Sequence, residues 1–165
     1  MSNGDRPVWG TLPRSLRSMG RWVTIVLAIG YGTSLVFVWR TTRLVPTGIA
    51  DHYRGSESAQ GVMEFPKSLA EMLTIVHTHL LTMALLFVVS GVGIVLTERV
   101  TERWKRFLCV EPFVALLVSF GSMLLMRYID ARFAILLALS SALMALTFFL
   151  QCGLVLRELG WKDPP

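Results

Sequence analysis

Three histidines are the residues of this chain best equipped for chemistry, and two of them stand in apolar surroundings. His77 and His79 interrupt the long hydrophobic stretch from Met72 to Leu96. Imidazole in hydrocarbon is costly unless something binds it, so a histidine there is a functional candidate by default. Neutral imidazole ligates haem iron, copper and zinc, and thioether sulfur suits haem iron or Cu(I). His79 with Met83 and either Met123 or Met126 could supply such a set. His77 and His79 are two residues apart, about 200° around a helix, and therefore cannot chelate one ion together. The third histidine, His52, precedes this stretch. A bis-histidine haem b would need the segment around His52 to fold back over His77 or His79, or a partner subunit to bring the second ligand. The competing reading is that both imidazoles hydrogen-bond to hydroxyls and carbonyls of neighbouring helices and so hold a bundle together.

The elements that must position these side chains follow from hydropathy. Of 165 residues, 53% are hydrophobic and 16% charged, against about 25% charged in a soluble domain. The charges cluster and leave four apolar stretches, at 22–39, 72–96, 110–126 and 133–156. Each approaches or exceeds the roughly 17–25 residues that cross a hydrocarbon core. Lipid offers backbone amides no other partner, so all four are expected to be helices. The expected fold is an all-α, integral-membrane four-helix bundle. The first stretch exceeds a signal-peptide core and is followed by Trp39-Arg40-Thr41-Thr42-Arg43 rather than a small-x-small site, so it is expected to stay as a helix.

Lysine and arginine set the expected orientation. The tail 1–21, the connection after the second stretch and the C-terminal tail 157–165 hold ten basic residues, and the other side holds six. Both termini are therefore expected in the cytoplasm of a bacterial inner membrane (N-in/C-in), with the 40–71 loop periplasmic. The +5 net charge needs no nucleic-acid partner, because positive-inside topology and anionic lipid account for it. Within the tail, 12–21 is expected to form an amphipathic helix on the inner leaflet. Pro46, Gly48, Gly55, Gly61 and Pro66 are expected to break the 40–71 loop into short pieces. That loop is charge-balanced and much longer than the usual 2–8-residue bundle connection, long enough to cap the bundle or dock a periplasmic redox partner. Ser68 with Glu71 reads as a capping box opening the second membrane helix. Small residues at four-residue spacing, Ala28 with Gly32, Gly30 with Ser34, and Ala134 with Ala138 and Ala142, mark expected helix contacts.

Depth supplies the main functional signal. His79 lies seven residues below the expected outer end of its span, roughly 10 Å deep at 1.5 Å per residue. Gly32 beside Tyr31, Thr33 and Ser34, then Ser119 with Ser122, then Ser140 and Ser141, fall at the same level on the other spans. Other features read as structural: Glu111 as a first-turn carboxylate favoured by the helix dipole, and Cys109 and Cys152 as packed thiols in a reducing compartment. There are no paired periplasmic cysteines, no acid within 22–39, no phosphate-binding glycine loop and no His-Glu-x-x-His, which removes disulfide oxidoreductases, small multidrug exporters, nucleotide hydrolases and zinc proteases.

Tyr31-Gly32, Gly48-Ile49-Ala50-Asp51-His52-Tyr53-Arg54-Gly55, Phe65-Pro66-Lys67-Ser68 and His77-x-His79 resemble a group of uncharacterised small bacterial four-span inner-membrane proteins. The resemblance covers roughly residues 30–100 and implies that the periplasmic loop and the histidines form one unit at the outer face; it carries no activity. The functional expectation is a subunit of a respiratory or electron-transfer complex, not an enzyme on its own, binding haem b or a metal through His79, His77 or His52 and meeting other membrane subunits. The alternative is a cofactor-free structural or assembly subunit.

Overall fold

Once apolar side chains dominate, what remains to be decided is where each helix starts, stops and turns. The computed structural model describes residues 7–57 and 63–160. It contains a 3-10 turn at Trp9–Thr11, α1 (Arg14–Thr42), α2 (Pro46–Arg54), a two-residue antiparallel ladder of β1 (Ser56–Glu57) with β2 (Met63–Glu64), α3 (Leu69–Val95), α4 (Glu102–Tyr128) and α5 (Phe133–Leu159). The architecture is all-α. Among the described residues, α1, α3, α4 and α5 are the four helices long and apolar enough to cross a membrane.

α4 and α5 form a tight antiparallel hairpin whose turn is fastened by Asp130, its Oδ1 accepting the Arg132 amide at 2.7 Å. α3 packs on both, whereas α1 lies chiefly along α5 and touches α3 little. At the middle, Tyr31, Phe87, Phe148 and Met144 form one core cluster; Tyr31 and Phe148 stack with ring centroids 4.6 Å apart. The end of the bundle holding Trp9, Leu96 and Leu159 is called the tail end, and the end holding α2 and the α4–α5 turn the loop end. Trp9 is pinned at the tail end: its backbone amide donates to the Leu96 carbonyl and its indole Nε1 to the Gly93 carbonyl, each at 2.9 Å.

The helices run beyond the apolar stretches, because backbone hydrogen bonding continues past the last hydrophobic residue. Residues 14–21 are the first turns of α1 rather than a separate surface helix. Pro46 does not break the loop but occupies the first position of α2, where its missing amide hydrogen and fixed φ favour a helix start. The α1–α2 turn is sharp, with Arg43 and Leu44 both left-handed at φ 54 and 56°. A Cβ on Gly48 would overlap the Thr42 carbonyl, so glycine is needed there. The capping box forms: the Ser68 amide donates to Glu71 Oε2 at 2.7 Å and the Glu71 amide to Ser68 Oγ at 3.3 Å.

α2 caps the loop end. Ile49 is buried against Met72, Met123, Met126 and Ala134. Arg54 Nη1 donates to the Met126 carbonyl at 2.7 Å, and Arg127 Nε to the Lys67 carbonyl at 2.9 Å. Of the small-residue pairs, Ala134 and Ala138 pack in this cluster and Ala28 in the middle one. Gly30 and Gly32 meet no neighbour within 4 Å of a Cβ built on them, so the glycine side of α1, unlike its Tyr31 side, meets no other element among the described residues.

Candidate functional site

His79 projects from α3 ten residues after Leu69, about 15 Å from the loop end along the helix. Its Nδ1 lies 2.9 Å from the Ile75 carbonyl one turn earlier. A carbonyl can only accept, so in the neutral ring Nδ1 carries the hydrogen and Nε2 keeps its lone pair. The ring tilts against Phe120 of α4, centroids 5.8 Å apart, and is nonetheless exposed on the side of the bundle. His77 is exposed as well. It stands on an outward stripe with Leu73, Leu81, Val88 and Val95, all exposed, because residues at these spacings share one helix face.

The hydroxyls at this level are organised without the histidines. Ser119 Oγ and Ser140 Oγ lie 2.8 Å apart across the α4–α5 contact, and Ser141 Oγ donates to Ser119 Oγ at 3.3 Å. Thr33 and Ser34 donate to the Gly30 carbonyl of their own helix. Met123 and Met126 are sealed in the cluster beneath α2, and Met83 packs against the middle core. His52 sits half-buried on α2, edge-on to Tyr53 with centroids 5.0 Å apart. Among the described residues no three His, Cys, Asp or Glu side chains come close enough to hold a metal ion. A metal ion held by three such groups and including His79 would therefore draw on ligands beyond the described His, Cys, Asp and Glu side chains.

Reasoning from the sequence missed a second polar site. Pro112 lies inside α4, has no amide hydrogen, and so leaves the carbonyl four residues back, Leu108, without its helical partner. Gln151 of α5 supplies one: its Nε2 donates to the Leu108 carbonyl at 2.6 Å. Gln151 is fully buried, and among the described residues its Oε1 has no partner; neither has either carboxyl oxygen of Glu111. A buried polar group left unpaired costs about 1–3 kcal/mol. Glu111 is not a first-turn residue: α4 begins at Glu102, and dipole stabilisation fades within the first turn. The apolar stretch begins at Val110, which hid the roughly two turns of helix that run before it from Glu102. The available signal was the pairing of an in-helix proline with a lone glutamine in the last apolar stretch.

The fold and these sites define a multi-pass membrane protein built on four helices. The chain belongs to the Aq_1264_TM family, a transmembrane helical domain whose model matches residues 43–164, from the α1–α2 turn through α5. No curated protein and no solved structure matches it.

Proposed function

We propose that this protein is a small integral-membrane subunit of a respiratory or electron-transfer assembly, with both termini cytoplasmic and α2 at the periplasmic face. In this reading His79 gives one imidazole to a haem b or metal ion shared with a neighbouring subunit. The observation that carries it is the His79 ring itself: exposed at membrane depth, Nδ1 tied to the Ile75 carbonyl, Nε2 left as a donor of electrons. Ligating imidazoles are characteristically held by such a bond from the other ring nitrogen, and losing it costs 10–100-fold in affinity. Exposure at this depth means contact with acyl chains or with another polypeptide, and only the second can satisfy Nε2. His77 is the second candidate ligand, and His52 on α2 the third, placed to meet a periplasmic redox partner at the 40–71 loop.

The second reading is a cofactor-free structural or assembly subunit. What favours it is the outward stripe of α3, where leucine and valine flank His77 in a pattern suited to packing another helix.

The visible spectrum and metal content of the protein purified with its native membrane partners separate the two. The electron-transfer reading expects a Soret band or stoichiometric metal, lost in His79→Ala. A colourless, metal-free preparation that retains its partners would sink that reading and leave the scaffold.

A further inference from the structure

α3 presents one continuous face to the outside of the bundle. Leu73, Leu81, Val88 and Val95 recur along it at helical spacing, each more than half exposed. His77 stands between Leu73 and Leu81 on the same face, four residues from each. It is exposed, and among the described residues neither of its ring nitrogens has a hydrogen-bond partner. His79 is different: its Nδ1 is tied to the Ile75 carbonyl, and it projects about 200° away around the helix. Thr74, at the edge of the stripe, already donates to the Ala70 carbonyl at 2.8 Å.

Depth turns this exposure into a demand. α3 has 27 residues and is therefore about 40 Å long, against a hydrocarbon core of about 30 Å. Centred in the bilayer, it overhangs each face by about 5 Å, and His77, eight residues after Leu69, lies about 7 Å inside. Acyl chains neither donate to an imidazole nor accept from it, and a polar group left unpaired there is costly. A neutral imidazole carries one donor and one acceptor. Its complement is a group with one of each, at the same depth, on another polypeptide.

A second copy of this chain meets that demand by symmetry. Two copies inserted the same way are related by a two-fold axis along the membrane normal, which sets each residue near the axis opposite its own counterpart. α3 then pairs with α3 in parallel, the two His77 rings meet at equal depth, and one donates to the lone pair of the other. An unrelated subunit would have to carry a donor and acceptor set independently at that level.

We infer that this protein forms a parallel dimer through the outward face of α3, joined within the membrane by a hydrogen bond between the two His77 rings. This gives His77 a role other than ligation and leaves His79 outside the seam, so it and the reading built on His79 can fail separately.

The test is oxidative crosslinking of the full chain in its native membranes, with the parent chain, whose thiols are buried or half-buried, as the blank. Leu81→Cys, one turn from His77, is expected to give a disulfide-linked dimer of the chain on a non-reducing gel. Leu146→Cys, also exposed and at a matching depth on α5, is expected to stay monomeric. Energy transfer between labelled copies in bicelles then measures the association itself. His77→Ala is expected to weaken it about 3- to 30-fold, the range that one interhelical hydrogen bond in lipid gives. His77→Asn, whose amide again offers both a donor and an acceptor, is expected to restore it. No dimer from Leu81→Cys, an equal yield from Leu146→Cys, or a Leu81→Cys crosslink to a different polypeptide would overturn the proposal, as would equal association of the parent and His77→Ala chains. The two cysteine variants keep His77 in place, so their comparison decides even where His77→Ala does not fold.

Discussion

At the scale of single residues, a proline and a glutamine on different helices act as one device. Pro112 orphans the Leu108 carbonyl, and Gln151 reaches across from α5 to satisfy it at 2.6 Å. Removing Gln151 is then costly only while the proline is present. Gln151→Leu is expected to lower unfolding stability in detergent by about 1–3 kcal/mol. In a Pro112→Ala background, where the helical amide returns, the same change is expected to cost under about 1 kcal/mol. A double-mutant cycle reads the coupling directly, and equal costs in both backgrounds would show that the bond contributes nothing. Glu111 sits one residue before the proline, buried with both carboxyl oxygens unpaired among the described residues. Burying a carboxyl without a partner is costly, so Glu111→Gln is expected to raise the melting temperature. A fall instead would reveal a partner on which the fold depends.

At the scale of elements, α2 is a lid fastened by side chains that bond to backbone. Arg54 and Arg127 bind carbonyls across the loop end, and Tyr53 lies half-buried beneath, its carbonyl accepting the Lys67 amide at 3.0 Å. Burial raises the Tyr53 phenol above its ordinary value of 10.0. The folded state therefore holds this proton more tightly than the unfolded chain does. The associated stability is complete below about pH 10 and is lost as pH rises through the folded value. Melting curves taken upward from pH 9 are expected to fall less steeply in Tyr53→Phe than in the parent, and parallel curves would remove Tyr53 from the lid. The four membrane helices could be read from hydropathy because only helices satisfy backbone groups in lipid, and Ser68 with Glu71 marked the start of α3. α2 was hidden because the same Pro46 and Gly48 that start it also spell a broken loop; only the approach of Gly48 to the Thr42 carbonyl distinguishes the two. The histidines stood out by composition, but which way a side chain faces depends on helix packing. The hydroxyl layer likewise resolved into a serine triad between α4 and α5 that leaves His79 aside.

At the scale of the whole molecule, the two candidate sites lie toward opposite ends of one bundle, so orientation decides which side of the membrane each one serves. The count of ten basic residues against six supports the proposed orientation, with the tail end in the cytoplasm, by the positive-inside rule. In that proposed orientation His79 lies nearer the periplasm and the buried polar site at Gln151 nearer the cytoplasm. Thr47 on α2 and Ser15 on α1 are both exposed at opposite ends, which makes them reporters. In intact bacterial cells, Thr47→Cys is expected to react with a membrane-impermeant maleimide and Ser15→Cys only after permeabilisation. The native thiols give little background, since Cys152 is buried and Cys109 half-buried. The reverse pattern would invert the protein in the bilayer and move the exposed imidazole to the cytoplasmic side. A haem there could not serve a periplasmic donor, and the electron-transfer reading would have to be rebuilt around the other face.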